Sequence, residues 1–239
     1  NLGEVDVTTI LAKSSNVGVA KIALDLDHRD LWAVLSRFGI GRLTDSGFPG
    51  ESAGVLNDPQ HWRPVGQATL AYGYGLSVTP LQLAQAYAVI AAGGVRRPVS
   101  LVAVDEIPVG ERVVSSNTAQ ALNGMLEAVV SPVGTGNRAA IANFRVAGKT
   151  GTAWKSSVGG YSKDRYLAVF GGFVPVTDPK LVAVVVIDEP RGEEYYGGDV
   201  AAPVFARILS GALRLLAVPP DALAEPPVTI VARSPAIEV

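Results

Sequence analysis

The sequence predicts an α+β fold, an antiparallel sheet flanked by helices, and three observations carry that expectation. Apolar residues recur at helical spacing through the first half of the chain. Runs rich in Val, Phe and Ile with strand character fill much of the second half, and one amphipathic helix follows them. Helices first, then strands, then a helix is the order expected when helices pack against an antiparallel sheet.

The clearest helical pattern covers residues 28–38, where Leu31, Val34, Leu35 and Phe38 fall at i, i+3, i+4 and i+7 before Gly39 stops the turn. A second helix starts at Thr79-Pro80, a capping residue followed by Pro in the first helical position. It carries Leu83, Ala86, Tyr87 and Ile90 and ends at Gly93-Gly94. A third runs over residues 117–130 with Leu122, Met125, Leu126 and Val129 on one side, closed by Pro132. Strands are expected over residues 144–155, 166–176 and 181–188, with Thr177-Asp178-Pro179 turning the last two into a hairpin. The final helix, residues 203–216, sets Phe205, Ile208, Leu209, Ala212 and Leu216 along one stripe before Pro219-Pro220. Residues 1–218 then form one folded unit and residues 219–239 a Pro- and Ala-rich tail.

At 239 residues, with 48% hydrophobic and 18% charged residues, the chain has the composition of a globular protein. A net charge of −2 with scattered Lys and Arg gives no field for nucleic acid or an anionic membrane. There is no cysteine, which removes disulfides and thiolate metal sites, and His28 and His61 lie in polar stretches without ligand spacing. No metal or other cofactor is expected. The longest apolar run, residues 181–187, is far short of the roughly 20 residues that span a bilayer. The chain opens Asn1-Leu2-Gly3 and reaches a helical pattern almost at once, as expected of a trimmed product or one piece of a larger polypeptide.

The sharpest local signal is Lys149-Thr150-Gly151-Thr152, a cation, a hydroxyl, a residue without a side chain and a second hydroxyl in succession on an expected strand. That set suits a carboxylate, with charge-assisted hydrogen bonds each worth roughly 1.5–3 kcal/mol. Gly151 weakens a strand unless another backbone approaches closely, which points to a peptide-like ligand along the strand edge. A bulge or turn with a solvated Lys explains the four residues equally well taken alone. Ser-x-x-Lys and Ser-x-Asn accompany Lys-Thr-Gly in β-lactamases and penicillin-binding proteins. Ser-x-Asn occurs at Ser14-Ser15-Asn16 and Ser115-Ser116-Asn117. The second copy stands where a helix needs an N-cap and is read as one. The first interrupts an apolar-periodic region between Ile10-Leu11 and Val17, a polar loop between two helices, where capping remains an alternative role.

Six ordered segments carry a resemblance. Lys13-Ser14-Ser15-Asn16-Val17-Gly18, Tyr72-Gly73-Tyr74-Gly75-Leu76-Ser77, Pro80-Leu81-Gln82-Leu83-Ala84, Lys149-Thr150-Gly151-Thr152-Ala153, Val186-Ile187-Asp188-Glu189-Pro190 and Tyr195-Tyr196-Gly197-Gly198 together resemble class B penicillin-binding proteins of the septal, cell-division type. The resemblance extends to about Pro220 and implies a β-lactamase/transpeptidase-like fold, incomplete in this chain. It also implies serine acyl transfer, in which a Ser attacks the D-Ala-D-Ala bond of a peptidoglycan stem peptide and the acyl group passes to a neighbouring stem's amine. β-Lactam antibiotics would trap the acyl-enzyme.

By similarity, Ser14 relays a proton, Asn16 holds the substrate amide, and Lys149 keeps positive charge beside Ser14 and the incoming carboxylate. Thr150 and Thr152 grip that carboxylate, and the Thr152 N–H supplies half of an oxyanion hole. Tyr72 and Tyr74, and across the site Tyr166, Tyr195 and Tyr196, are expected as walls. Core packing is the competing role for each, more so for Tyr72 and Tyr166 than for the Gly-flanked Tyr195-Tyr196 pair.

Two departures stand out. No Ser in the chain has Lys three positions on, so the nucleophile and its activating Lys are expected upstream of Ser14 in the same polypeptide. Trp154 stands where a basic or small polar residue is expected, which bears on carboxylate-side specificity and drug affinity. The family further implies the periplasmic side of the inner membrane, an N-terminal anchoring helix outside this sequence, and contacts with division proteins. A D,D-carboxypeptidase or β-lactamase, and a non-catalytic β-lactam sensor or division-machinery module, are the alternatives.

Overall fold

The computed structural model describes residues 2–157 and 160–223. Three helices open it, α1 (Val7–Ala12), α2 (Asn16–Asp25) and α3 (His28–Arg37). Each begins at a side chain that accepts from a first-turn N–H the helix cannot satisfy itself: Asp6 from Thr9, Ser15 from Gly18 and Asp27 from Arg29. Helices α4 (Pro64–Leu70) and α5 (Pro80–Ala91) both take Pro in the first turn, where its missing N–H is no loss. Two short strands, β1 (Val95–Arg96) and β2 (Glu111–Arg112), pair antiparallel before α6 (Ser116–Val130). The Ser115 hydroxyl accepts from Thr118 N, the capping role its sequence position implies.

The main sheet has antiparallel order β3-β4-β5, from β3 (Ala147–Ser157), β4 (Gly160–Val174) and β5 (Leu181–Asp188). A short α7 (Gly197–Val200) and α8 (Ala202–Leu215) follow. The α+β expectation holds, with β4 reaching back to Gly160 and β3 starting at Ala147 rather than residue 144. Helix α4 and the β1–β2 pair had no clear sequence signal.

The sheet is covered on both faces, as strand alternation requires. On β4, Phe170 and Val174 point to one side and join Phe205, Leu209 and Leu213 of α8 in one core. The Phe170 and Phe205 rings meet at 4.8 Å and 63°. Phe173 points to the other side, with Leu126 of α6 and Tyr87 and Ile90 of α5. The buried stripe of α8 differs from the expected one: Ile208 is 55% and Leu216 61% exposed, and Leu213 takes their place. A spacing of i, i+4, i+8 down Phe205, Leu209 and Leu213 follows the narrow line along which the sheet meets this helix. Each side chain buried there contributes roughly 1.5–3 kcal/mol. Past residue 219, Asp221 still accepts from Arg145 N, Thr177 N and the Thr177 hydroxyl. From residue 224 the tail lies outside the described residues.

Gln82 shows how a local signal does long-range work. It closes a capping box with Thr79, its side-chain oxygen accepting from Thr79 N while the Thr79 hydroxyl accepts from Gln82 N. Its amide nitrogen, fully buried, donates to the carbonyls of Arg42 at 2.6 Å and Ala53 at 2.8 Å, and so anchors the irregular segment between α3 and α4. Gln82→Leu should lower stability by about 2–4 kcal/mol, read in thermal or denaturant unfolding, because those carbonyls then lack a donor in the interior.

Candidate active site

Among the described residues strand β3 is an edge strand, paired with β4 alone. Its register sets Lys149 opposite Gly171, Thr150 opposite Phe170, Gly151 opposite Val169 and Thr152 opposite Ala168. Facing it is the connection between α1 and α2, where Ser14 holds a positive φ of 53°. That conformation disfavours any residue with a Cβ and is found where the surroundings over-determine it. Here Ser14 N donates to Leu11 O and Ser15 N to Ile10 O, Ser15 caps α2, and Asn16 is the first residue of that helix. Capping thus falls to Ser15, leaving the Ser14 hydroxyl for the cleft.

The two walls meet at Lys149, whose Nζ donates to Ser14 Oγ at 2.9 Å across 135 positions of sequence. It also donates to Thr150 O at 3.0 Å and reaches Thr150 Oγ1 at 3.4 Å. All three acceptors are neutral. Burial pushes the Lys149 ammonium down to about 8, because the charged form loses water and gains no counter-ion. A partly desolvated cation with neutral partners is poised to receive an anion.

A cavity of about 800 Å³ lies between the walls. Ser14, Asn16, Lys149, Thr150, Gly151, Thr152, Tyr72, Tyr74 and Tyr196 all line it, so nine of the sequence-derived candidates converge on one space. Tyr166 and Tyr195 do not line it. They stack at 4.2 Å and 21°, and Tyr195 lies 4.4 Å from Tyr196, which places them as a layer behind the Tyr196 wall. The Tyr195 hydroxyl donates to that of Tyr196, and this bond and burial hold the Tyr195 phenol up at about 12.

Thr152 has a structural task as well, since its hydroxyl accepts from Gly197 N at 3.0 Å. A Cβ at residue 197 would come within 2.3 Å of the carbonyl oxygens of Gly151 and Val169, so only glycine lets α7 dock this closely on the sheet. At Gly151 itself a Cβ would meet only Val169 Cβ at 3.5 Å, an ordinary contact. Nothing in the fold demands glycine there.

Two participants, Thr135 and Asp199, were missed by the sequence reading, and Lys13, named there only as part of a segment, gains a partner. Thr135 lines the cavity, pairs its hydroxyl with that of Thr150 at 3.0 Å, and donates its N–H to Ala12 O, tying the end of α1 to β3. Lys13 supports the same junction by donating to Val133 O at 2.7 Å. Asp199 also lines the cavity, 3.5 Å from the Arg138 guanidinium. A Thr between two glycines was the one cue to Thr135; Asp199 follows the Tyr195-Tyr196-Gly197-Gly198 segment without a motif of its own. Among the described residues no group of three or more His, Cys, Asp or Glu could hold a metal ion.

Chemically, the cleft offers a cation flanked by hydroxyls, an open strand edge for a peptide backbone, an amide side chain opposite that edge and aromatic walls. Residues 1–210 match the penicillin binding protein transpeptidase domain, and the chain belongs to that family. It is 44% identical over 220 residues to the peptidoglycan D,D-transpeptidase FtsI of Escherichia coli (strain K12), an alignment that covers 92% of this chain and 37% of that protein. The FtsI of Buchnera aphidicola subsp. Schizaphis graminum is 40% identical over 220 residues, 92% of this chain and 39% of that one. Among solved structures, the apo transpeptidase domain of Burkholderia pseudomallei penicillin-binding protein 3 superposes with a TM-score of 0.87 at 43% identity, covering 92% of this chain and 67% of that one. The chain thus spans a little over a third of the length of these curated relatives.

Proposed function

We propose that this chain is the C-terminal part, residues 1–218, of a serine-type D,D-transpeptidase that cross-links peptidoglycan stem peptides in septal wall synthesis and is a target of β-lactams. The observation that carries the proposal is the Lys149 Nζ to Ser14 Oγ bond, which joins the two motif-bearing walls into one anion-receiving cleft. The nucleophilic Ser and its activating Lys come from the part of the polypeptide upstream of Ser14, since no Ser-x-x-Lys occurs within these 239 residues.

In this reading the terminal carboxylate of D-Ala-D-Ala sits against Lys149, Thr150 and Thr152. The upstream Ser oxygen adds to the penultimate carbonyl, whose developing charge is held in part by the Thr152 N–H; such a donor is worth roughly 10²–10³ in turnover. The C–N bond breaks, Ser14 relays a proton to the departing D-Ala amine, and an ester remains. The amine of a second stem attacks that ester, its C–O bond breaks, and the Ser oxygen recovers a proton. Asn16 fixes the amide of the donor peptide. Tyr72, Tyr74 and Tyr196 shield the reacting carbonyl, with Tyr166 and Tyr195 supporting Tyr196. No cofactor takes part.

On this reading the domain works on the periplasmic side of the inner membrane, tethered by an N-terminal helix outside these residues and beside division proteins. No helix among the described residues is long and apolar enough to cross a membrane.

Labelled penicillin is expected to acylate the complete polypeptide and to leave residues 1–239 expressed alone unmodified. With stem peptides, cross-linked dimers should form. Covalent labelling of the isolated chain would refute the placement of the nucleophile, and free D-Ala without dimers would favour a carboxypeptidase.

A further inference from the structure

We propose that Asp199 selects the acceptor of the second half-reaction: its carboxylate draws a cationic amine into the cleft and so favours cross-linking over hydrolysis of the acyl-enzyme. The inference rests on the transpeptidase reading above.

Charge in the cleft is sparse. Among the described residues that line the cavity, Lys149 is the one cation and Asp199 the one carboxylate. The two do not pair with each other: Lys149 turns to Ser14 and Thr150, and Asp199 to Arg138. That second contact is loose. At 3.5 Å the Arg138 guanidinium is in ionic contact with the carboxylate, while its hydrogen bond, at 3.4 Å, goes to the Asp199 backbone carbonyl. The Arg138 side chain is 55% exposed, so water and salt screen the pair. Among the described residues no N–H or O–H donates to the Asp199 carboxylate, whereas that of Asp221 accepts three hydrogen bonds. A half-buried carboxylate that borders a cavity with its acceptor positions open suits a cationic donor from a ligand.

The fold sets this charge on the leaving-group side. Gly198 presses α7 against the Thr135–Thr150 hydroxyl pair, since a Cβ at residue 198 would come within 2.3 Å of Thr135 O and 3.4 Å of Thr150 Cγ2. Asp199 is the next residue. Thr150 is among the groups that seat the carboxylate of the departing D-Ala in the reading above, so Asp199 borders the space that D-Ala vacates. The attacking amine enters by that space, because the new C–N bond forms along the path on which the old one broke.

A side-chain amine on a peptide is an ammonium at neutral pH. Asp199 attracts it on approach and raises its concentration beside the ester, while water, the competing nucleophile, carries no charge and gains nothing. The ammonium gives one proton to solvent and attacks as the free amine. The ester C–O bond then breaks, and a second amine proton passes to the Ser oxygen. Asp199 itself forms no covalent bond.

The test follows one acyl-enzyme between two fates. The complete polypeptide is given a donor peptide ending in D-Ala-D-Ala and one of two acceptors: a stem peptide with a single free side-chain amine, or hydroxylamine, which is uncharged at neutral pH. The amide-to-acid product ratio is measured, a quantity independent of how fast the acyl-enzyme forms. Asp199→Asn should lower the ratio by about tenfold for the stem-peptide amine and leave that for hydroxylamine within about twofold. Asp199→Glu should restore most of the loss. Arg138→Ala should hold or raise the ratio, since it removes the competing cation. A stem-peptide ratio in Asp199→Asn within about twofold of the unsubstituted protein overturns the assignment, as does an equal fall for both acceptors. A matching fall in Arg138→Ala overturns it too, by showing that Asp199 serves only to hold Arg138. Acid without amide from the unsubstituted protein, with either acceptor, overturns the transpeptidase reading itself.

Discussion

Replacing Lys149 with Met is expected to slow β-lactam acylation of the complete polypeptide by about 10²- to 10³-fold without loss of fold, because it removes the cation that donates to Ser14 and that the proposed mechanism sets against the substrate carboxylate. Met keeps the length and apolar stem of Lys and relieves the burial that pushes the ammonium down to about 8. Unfolding temperature should therefore hold or rise. The same group predicts a pH signature. Its folded value lies below the ordinary Lys value of 10.5, so between about pH 8 and 10.5 the unfolded chain binds the proton more tightly than the folded one. Stability contributed by this residue rises with pH across that window. Acylation moves the other way, its second-order constant falling above about pH 8 as the cation is lost. Opposite trends separate loss of charge from loss of fold. The limb should vanish in Lys149→Met, and a bound carboxylate, by favouring the protonated form, should shift it to higher pH at saturating substrate. An alkaline limb that persists unchanged in the variant would assign it to another group.

Legibility of this molecule in its sequence followed the range of the interactions. The helix starts at Thr79 and Ser115 were readable because a cap is a contact between neighbours two or three positions apart. The hairpin of β4 and β5 was readable for the same reason, its turn being Thr177-Asp178-Pro179. Lys149-Thr150-Gly151-Thr152 stood out because it sets a cation, two hydroxyls and a glycine in succession on one strand, and Ser14 because it breaks an apolar period. What could not be read was which surfaces meet. Ile208 and Leu213 satisfy helical spacing equally well, and only the line of approach of α8 to the sheet decides that Leu213 is buried and Ile208 is not. The Gly-flanked Tyr195-Tyr196 pair looked the stronger wall, yet docking of α7 through Gly197 puts Tyr196 in front and leaves Tyr195 stacked on Tyr166 behind it. Thr135 reaches the cleft only because the loop after α6 folds over the end of α1, a meeting of segments more than a hundred residues apart.

At Ser14 the proposed proton relay and a strained backbone coincide, and a pair of substitutions tells them apart. Its φ of 53° disfavours any side chain, at a cost of order 1–3 kcal/mol for a non-glycine residue in this region. Ser14→Ala keeps that strain and removes the hydroxyl that accepts from Lys149 Nζ. Ser14→Gly removes the hydroxyl and the strain together, partly offset by the greater freedom of glycine in the unfolded chain. If the hydroxyl relays the proton to the leaving amine, both variants should lose about 10²–10⁴-fold in acylation by a peptide substrate. In unfolding experiments the Gly variant should be the more stable of the two, by up to about 1 kcal/mol. A purely structural Ser14, serving only to turn the chain between α1 and α2, predicts the reverse coupling: Ser14→Gly would keep full activity, since glycine turns that corner more readily than serine does. Acylation of Ser14→Gly within a fewfold of the unsubstituted protein would remove Ser14 from the proton path and leave Lys149 positioned by Thr150 alone.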